Sequence, residues 1–90
     1  MGQIVQAGSA KNTTSTAAIC ANPCTLLGFY VNSTTNGTIV IKDGTASTGA
    51  AISGTITPAI GFHAFPASCS IGAYVTIANT MDVTVFFAPD

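Results

Sequence analysis

Four residues of this sequence are candidate metal ligands: Cys20, Cys24, Cys69 and His63. Zinc binds Cys and His side chains tetrahedrally. The spacing here is C-x3-C, with the third Cys and the one His far along the chain. That spacing is irregular, and the distant pair would have to converge on the Cys20–Cys24 turn. We therefore expect no metal site and no cofactor.

The two close cysteines also allow a disulfide. A Cys20–Cys24 bond is sterically possible across Ala21-Asn22-Pro23, and it would fix the entry of the chain into a sheet. It requires an oxidising compartment or oxidation after cell lysis. Ordinary reduced thiols are the alternative for all three cysteines. Cys69, the odd one, is interpreted as a small buried hydrophobic residue.

A catalytic cysteine needs a nearby base and a third group that orients the base. Cys69 and His63 are close in sequence, and Asp82 would be the third group. No surrounding signature supports such a triad, so we expect that the protein is not an enzyme and has no catalytic residues.

The composition limits the partners. The chain has 90 residues, of which only 6% are charged and 48% hydrophobic, with a net charge of -1. Two lysines cannot neutralise a run of phosphates, so we expect no nucleic-acid binding. The sequence contains no stretch of 18 apolar residues, so we expect no membrane span. The polar N-terminus does not resemble a secretory signal. Low net charge protects poorly against association, which favours contact with other chains.

Thr, Ile and Val favour strands, and residues that favour helices are scarce. Short alternating runs with turn residues between them predict a single all-β antiparallel β-sandwich, jelly-roll-like, with about seven to eight short strands. Residues 1–15 are read as a flexible N-terminal arm, and residues 16–90 as the sandwich domain. Asn36-Gly37 is expected at the tip of a hairpin that pairs residues 25–32 with 38–42.

The period of two divides each strand into two faces. The predicted core consists of Leu27, Phe29, Val31, Ile39, Ile41, Ile52, Ile56, Ile71, Ala73, Val75, Ile77, Val83, Val85 and Phe87. Apolar residues on the opposite faces are expected to form an interface patch, because contiguous exposed apolar patches mark such sites. These are Leu26, Tyr30, Val40, Tyr74 and Phe86. In the arm, Ile4 and Val5 are the apolar anchors and are expected to add a strand to a neighbouring chain.

The central run LLGFYVNSTTNGTIVIKDGTASTGAAISGTITPAIGFHAFP, followed by GAYVTIANTMDVTVFFAP, resembles a class of small virion proteins of tailed bacteriophages. In those chains a strand that ends in YVNST leads into GTI.I.DG and then I..TITP..G...FP, and the sequence closes on G.YVTI..T.DVTV. The resemblance covers residues 17–88. These are strand and turn motifs, so they carry over no catalytic residue.

The resemblance implies a β-sandwich that decorates or cements the capsid as a homotrimer. Its partners would be copies of itself and the major capsid protein, and its location the capsid surface after synthesis in the host cytoplasm. The alternative is a small module of a head or tail fibre that binds a host surface or carbohydrate.

Overall fold

The computed structural model describes residues 9–89, and the fold is all-β, as predicted. A single antiparallel sheet contains six strands, and no helix occurs in the described range. The strands are β1 Ser9–Thr13, β2 Ala17–Cys20, β3 Cys24–Asp43, β4 Ala50–Ala51, β5 Gly61–Cys69 and β6 Ala73–Pro89. Two very long strands and four short ones thus replace the seven or eight short strands that we expected. None of the described residues belongs to a helix that could span a membrane.

β3 and β6 form the centre of the sheet. They pair along their whole length, from Cys24 opposite Pro89 to Asp43 opposite Ala73. β1 and β2 pair with the two halves of β6 on its other edge. β5 pairs with the first half of β3, and β4 with its last two residues. Each half of the β3–β6 ribbon therefore has one short strand on each side.

The hairpin predicted at Asn36-Gly37 is wrong. Residues 25–31 pair with 83–88, and residues 38–43 pair with 73–78. Asn-Gly supplies the backbone freedom for a tight turn, but a β-bulge inside a continuous strand needs the same freedom. Here the alternating apolar residues of β6 offer both runs a partner, so the chain continues through Asn36 without turning back.

The bulge lies where the ribbon bends. Thr35 and Asn36 both stand opposite Thr80. Asn36 has a φ of 56° and Asn79 one of 63°, both in the left-handed region. The Asn79 side-chain amide donates a hydrogen bond of 2.7 Å to the Asn36 carbonyl oxygen. Asn adopts this region more easily than most residues, so both sides of the bend carry a suitable residue.

The two ends of the ribbon come close together. Twenty residues of straight strand would span about 66 Å, yet the longest extent of the structure is 45 Å. Cys20 pairs with Ala73, the first residue of β6, and Cys24 pairs with Pro89, the last. Because Cys20 and Cys24 are only four positions apart, β6 must fold back on itself, and β3 folds back with it.

The core lies between the two halves of the ribbon. Phe29 and Val85 from one half and Ile39 and Val75 from the other line the same narrow apolar gap. The inward sides of the two halves therefore contribute to one core, and we call their other sides outward. The predicted core residues that are buried are Phe29, Val31, Ile39, Ile41, Ala73, Val75, Val83 and Val85. Ile56, Ile77 and Phe87 are partly buried against this core.

Leu27, Ile52 and Ile71 are exposed, so their assignment to the core is wrong. Leu26 is opposite Phe87 and Gly28 is opposite Phe86, which leaves Leu27 as an extra residue in a bulge. A bulge shifts the alternation by one position. Leu26 is therefore 1% exposed and Leu27 41% exposed, the reverse of the prediction.

Part of the predicted arm belongs to the sheet. Residues 9–13 form β1, in register with β6 from Ser9 opposite Phe87 to Thr13 opposite Val83. Backbone hydrogen bonds do not require apolar side chains, so a small polar segment can satisfy the open edge of β6. The Thr13 side chain is buried, and its hydroxyl donates to the Ser15 carbonyl oxygen at 2.7 Å.

Candidate interaction face

The predicted interface residues divide between two surfaces. Tyr30 and Phe86 lie on the outward side of one half of the ribbon, and Val40 and Tyr74 lie on the outward side of the other. Leu26 belongs to the core and is removed from the predicted interface, because the bulge turns it inward. Ile4 and Val5 lie outside the described residues.

Three aromatic rings dominate one outward surface, which we call the aromatic face: Tyr30, Phe62 and Phe86. Tyr30 is directly opposite Phe62 on β5. The ring centroids of Phe62 and Phe86 are 6.0 Å apart, within the usual range for an aromatic pair. Tyr30 is 42% exposed and Phe62 is 56% exposed, so much of both rings meets solvent. Leu27, turned outward by its bulge, is another exposed apolar side chain of β3.

Gly28 allows the Phe62 ring to lie across the sheet. A Cβ atom at this position would be 2.9 Å from Phe62 Cζ and 2.5 Å from the His63 carbonyl oxygen. Both separations are shorter than van der Waals contact, so a side chain here would displace the ring or the backbone. The missing side chain at Gly28 thus leaves the space that the exposed Phe62 ring occupies.

A group of polar side chains borders the aromatic face: Asn12, Asn32, Asp82 and Thr84. Thr84 lies between Tyr30 on β3 and Asn12 on β1 in the register. The Asn12 amide donates to Asp82 Oδ1 at 2.6 Å, and the Asn32 amide donates to the same oxygen at 3.3 Å. Both amides also donate to the Thr84 hydroxyl oxygen. This polar border is therefore held in place by its own hydrogen bonds.

The outward surface of the other half of the ribbon carries four half-buried residues: Val40, Lys42, Tyr74 and Thr76. Val40 is paired with Thr76, and Lys42 is paired with Tyr74. The Thr76 hydroxyl is buried and has no hydrogen-bond partner in the described part of the chain. We call this the second face.

Asp43 holds the end of the ribbon closed. Its carboxylate accepts hydrogen bonds from the backbone N–H groups of Ser70, Ile71 and Gly72 at 2.9–3.3 Å, and from the Ser70 hydroxyl at 3.0 Å. The Ile71 and Ser70 amides contribute most to a lowered pKa of Asp43, because they stabilise the charged form. A cleft of about 320 Å³ lies beside it, lined mostly by small residues between positions 44 and 50. Because these hydrogen bonds occupy the Asp43 carboxylate, we interpret Asp43 as a structural residue.

The structure does not assemble the Cys-His-Asp arrangement. His63 lies on the inward side, with its ring centroid 5.3 Å from that of Phe29 and its Nε2 2.8 Å from the Ala59 carbonyl oxygen. Six strand positions, about 20 Å, separate His63 from Cys69 on β5. Asp82 lies on the outward side, whereas Cys69 is buried.

The three cysteines gather where the ends of the ribbon meet. Cys24 and Cys69 are opposed residues of β3 and β5, and both are fully buried. Cys20 is half-buried, with its sulfur 3.3 Å from the Asn22 carbonyl oxygen. Burial raises the pKa of the Cys24 thiol to about 12, and interactions with Cys20 and then Cys69 add to the shift. The Cys20–Cys24 disulfide is not formed in this structure, and residues 9–89 contain no group of three side chains placed to bind a metal ion.

Sequence reasoning missed Phe62 and the polar border. The surroundings of Phe62 depend on which strand pairs with β5, and the sequence does not reveal that pairing. Asn12 was assigned to the flexible arm, so its proximity to Asp82, 70 positions away, could not be foreseen. Comparison with known proteins found no matching family model, no similar curated protein and no similar solved structure.

Proposed function

We propose that this protein is a structural virion protein that decorates or cements a bacteriophage capsid through protein–protein contacts, as a homotrimer. The observation that carries the proposal is the aromatic face, where Tyr30 and Phe62 are exposed side by side on a nearly uncharged chain. The phage setting rests on the sequence resemblance. The expected sandwich of jelly-roll type belongs to this proposal, supported by the ribbon that folds back around one core.

Energetics favour association through the aromatic face. Large aromatic side chains at the centre of an interface are the usual energetic anchors. A contact there would desolvate three rings and few charges, and buried unpaired charges are what make docking costly. Asp82 is already hydrogen-bonded by two amides, so its charge stays at the polar border.

The two outward surfaces would have different partners. A cement protein must hold its own copies and the coat at the same time, and two separate surfaces allow both. We assign self-association to the aromatic face, since Tyr30 and Phe62 are more exposed than Tyr74 on the second face. We assign the coat contact to the second face, where Val40 and Tyr74 are half-buried apolar side chains on the outward side.

The oligomeric state tests the first assignment. Light scattering should give the mass of three 9.0 kDa chains for the wild type. Phe62→Asp places a charge at the centre of the aromatic face without touching the core, and should give monomers. Ile52→Asp is the matched control, because Ile52 is also an exposed apolar residue but lies beside Ile41, in the other half of the ribbon. A monomeric wild type at micromolar concentration, or a trimeric Phe62→Asp variant, would contradict the assignment.

Binding to particles tests the second assignment. The Tyr74→Asp variant should keep the trimer mass and lose attachment to capsids that lack the wild-type protein. Phe62→Asp should attach more weakly than wild type, because single copies lose the avidity of a trimer. Full decoration by Tyr74→Asp would place the coat contact elsewhere.

The polar border favours a second candidate, a fibre module that binds carbohydrate. Sugars present apolar ring faces to aromatic side chains and hydroxyls to amides and carboxylates, and the aromatic face offers both next to each other. A wild type that is monomeric and binds immobilised glycans, with loss of binding in Phe62→Ala and Asn32→Ala, would favour this candidate over the first.

A further inference from the structure

We propose that Cys24 and Cys69 are a site of oxidative modification, at which a small-molecule disulfide such as oxidised glutathione converts the two thiols into a cross-strand disulfide by way of Cys20. This inference does not depend on the proposed function. It differs from the Cys20–Cys24 bond expected from the sequence, because the sheet register brings a more distant cysteine opposite Cys24.

The backbone already has the geometry for this bond. Cys24 and Cys69 are direct partners in the antiparallel pairing of β3 with β5. Directly opposed residues have Cα atoms about 4.5–5.5 Å apart, and disulfides span about 4.4–6.8 Å. The bond can therefore form without moving either strand. The raised pKa of Cys24 is a second sign of proximity, because Cys20 and Cys69 both contribute to it.

Access explains why a third cysteine is needed. Cys24 and Cys69 have no exposed surface, so an oxidant cannot reach either sulfur directly. Cys20 is half-buried at the end of β2 and interacts with Cys24. It is therefore the point of entry, and Cys24 is the link between the surface and Cys69.

The reaction consists of three thiol–disulfide exchanges. The Cys20 thiolate attacks glutathione disulfide, which forms a mixed disulfide at Cys20 and releases one glutathione thiolate. The Cys24 sulfur, after losing its proton, attacks the Cys20 sulfur and releases the second glutathione. Cys69 then attacks the Cys24 sulfur and returns Cys20 to its thiol form. In total, two protein thiols are oxidised, one glutathione disulfide is reduced to two thiols, and no other reactant is needed.

The final bond would lock the place where the ribbon closes. Cys24 begins β3, and Cys69 is followed directly by the amides that bind Asp43 at the other end of β3. A Cys24–Cys69 bond closes a far longer loop than a Cys20–Cys24 bond does, and longer loops restrict the unfolded chain more. We expect the melting temperature to rise by roughly 10 °C on oxidation.

The test uses the folded wild-type protein, reduced, desalted and incubated with glutathione disulfide at pH 8. Mass spectrometry should show the loss of two hydrogens without a retained glutathione, and peptide mapping should find Cys24 joined to Cys69. Cys20→Ala should slow the oxidation at least about tenfold, because the accessible thiol is missing. Cys69→Ala should stop at the Cys20–Cys24 bond and should not gain the higher melting temperature.

Two outcomes would overturn the proposal. A stable end product with glutathione on Cys20, or with Cys20 joined to Cys24 in the wild type, would show that Cys69 does not take part. Oxidation of Cys20→Ala at the wild-type rate would refute the entry role of Cys20. Circular dichroism of each reduced variant checks that it is folded before oxidant is added.

Discussion

Gly37 offers the sharpest test of the bent ribbon. It follows the bulge at Asn36 and is buried against β6. A Cβ atom at position 37 would lie 2.6 Å from Met81 Cβ, 2.8 Å from the Thr80 carbonyl oxygen and 2.8 Å from the Thr34 hydroxyl oxygen. Non-bonded carbon atoms prefer about 3.5–4.0 Å. The Gly37→Ala variant therefore requires β3 and β6 to separate at this point.

The loss of stability expected for Gly37→Ala depends on which atoms would have to move. Overpacking of a tight site costs about 1–3 kcal/mol. Two of the three neighbouring atoms are a backbone oxygen and a Cβ, which cannot move without their strand, so we expect the upper part of that range. For a domain of this size, about 2–3 kcal/mol corresponds to a fall of roughly 10–20 °C in melting temperature.

Thermal unfolding followed by circular dichroism measures the effect. Gly54→Ala is the matched control, because a Cβ there has no atom within 4 Å. Its melting temperature should be unchanged or slightly higher, since alanine reduces the freedom of the unfolded chain. If Gly37→Ala melts within about 2 °C of the control, the close approach of β3 and β6 at this bulge is refuted.

Two further predictions concern the register and the ribbon end. Leu26→Ala should lower the free energy of unfolding by about 2–5 kcal/mol, because Leu26 is in the core. Leu27→Ala should change it by about 0.5 kcal/mol or less, because Leu27 is exposed. Equal effects of the two substitutions in urea titrations would contradict the bulge. Asp43→Asn should melt at a lower temperature than wild type at pH 7. Because the pKa of Asp43 is lowered by folding, its contribution is complete above the ordinary value of 3.8 and is lost as the pH falls through the lower folded value. The difference between the two proteins should therefore vanish in acid, and a gap that is constant with pH would disprove the role of the charge.

The sequence predicts the parts of the fold that depend on local alternation. In β6, Val75, Val83 and Val85 are buried, as the period of two requires. The same rule fails at Leu26 because a bulge is set by the pairing of two strands, and one strand alone does not reveal it. It also fails at Ile71, whose backbone is held by Asp43 from a distant part of the chain.

The candidate site was predictable only in part. Tyr30 and Phe86 could be placed on an outward side by alternation, and both are there. Phe62 could not be placed beside them, since nothing local states that β5 pairs with the first half of β3. Division of the predicted patch into two surfaces follows from the bend of the ribbon, which depends on the same long-range pairing.

The bulges connect the shape of the fold with its interaction face. β3 has 20 residues and β6 has 17, although their ends are paired with each other. The three extra residues enter at the three register shifts, and all of them are on β3 between Leu26 and Asn36. Bulges bend a strand and increase its twist, so three in one strand favour a ribbon that folds back. The same insertions turn Leu27 outward and place Asn32 where its amide reaches Asp82. The irregularities that close the core are therefore also the ones that shape the surface available to a partner.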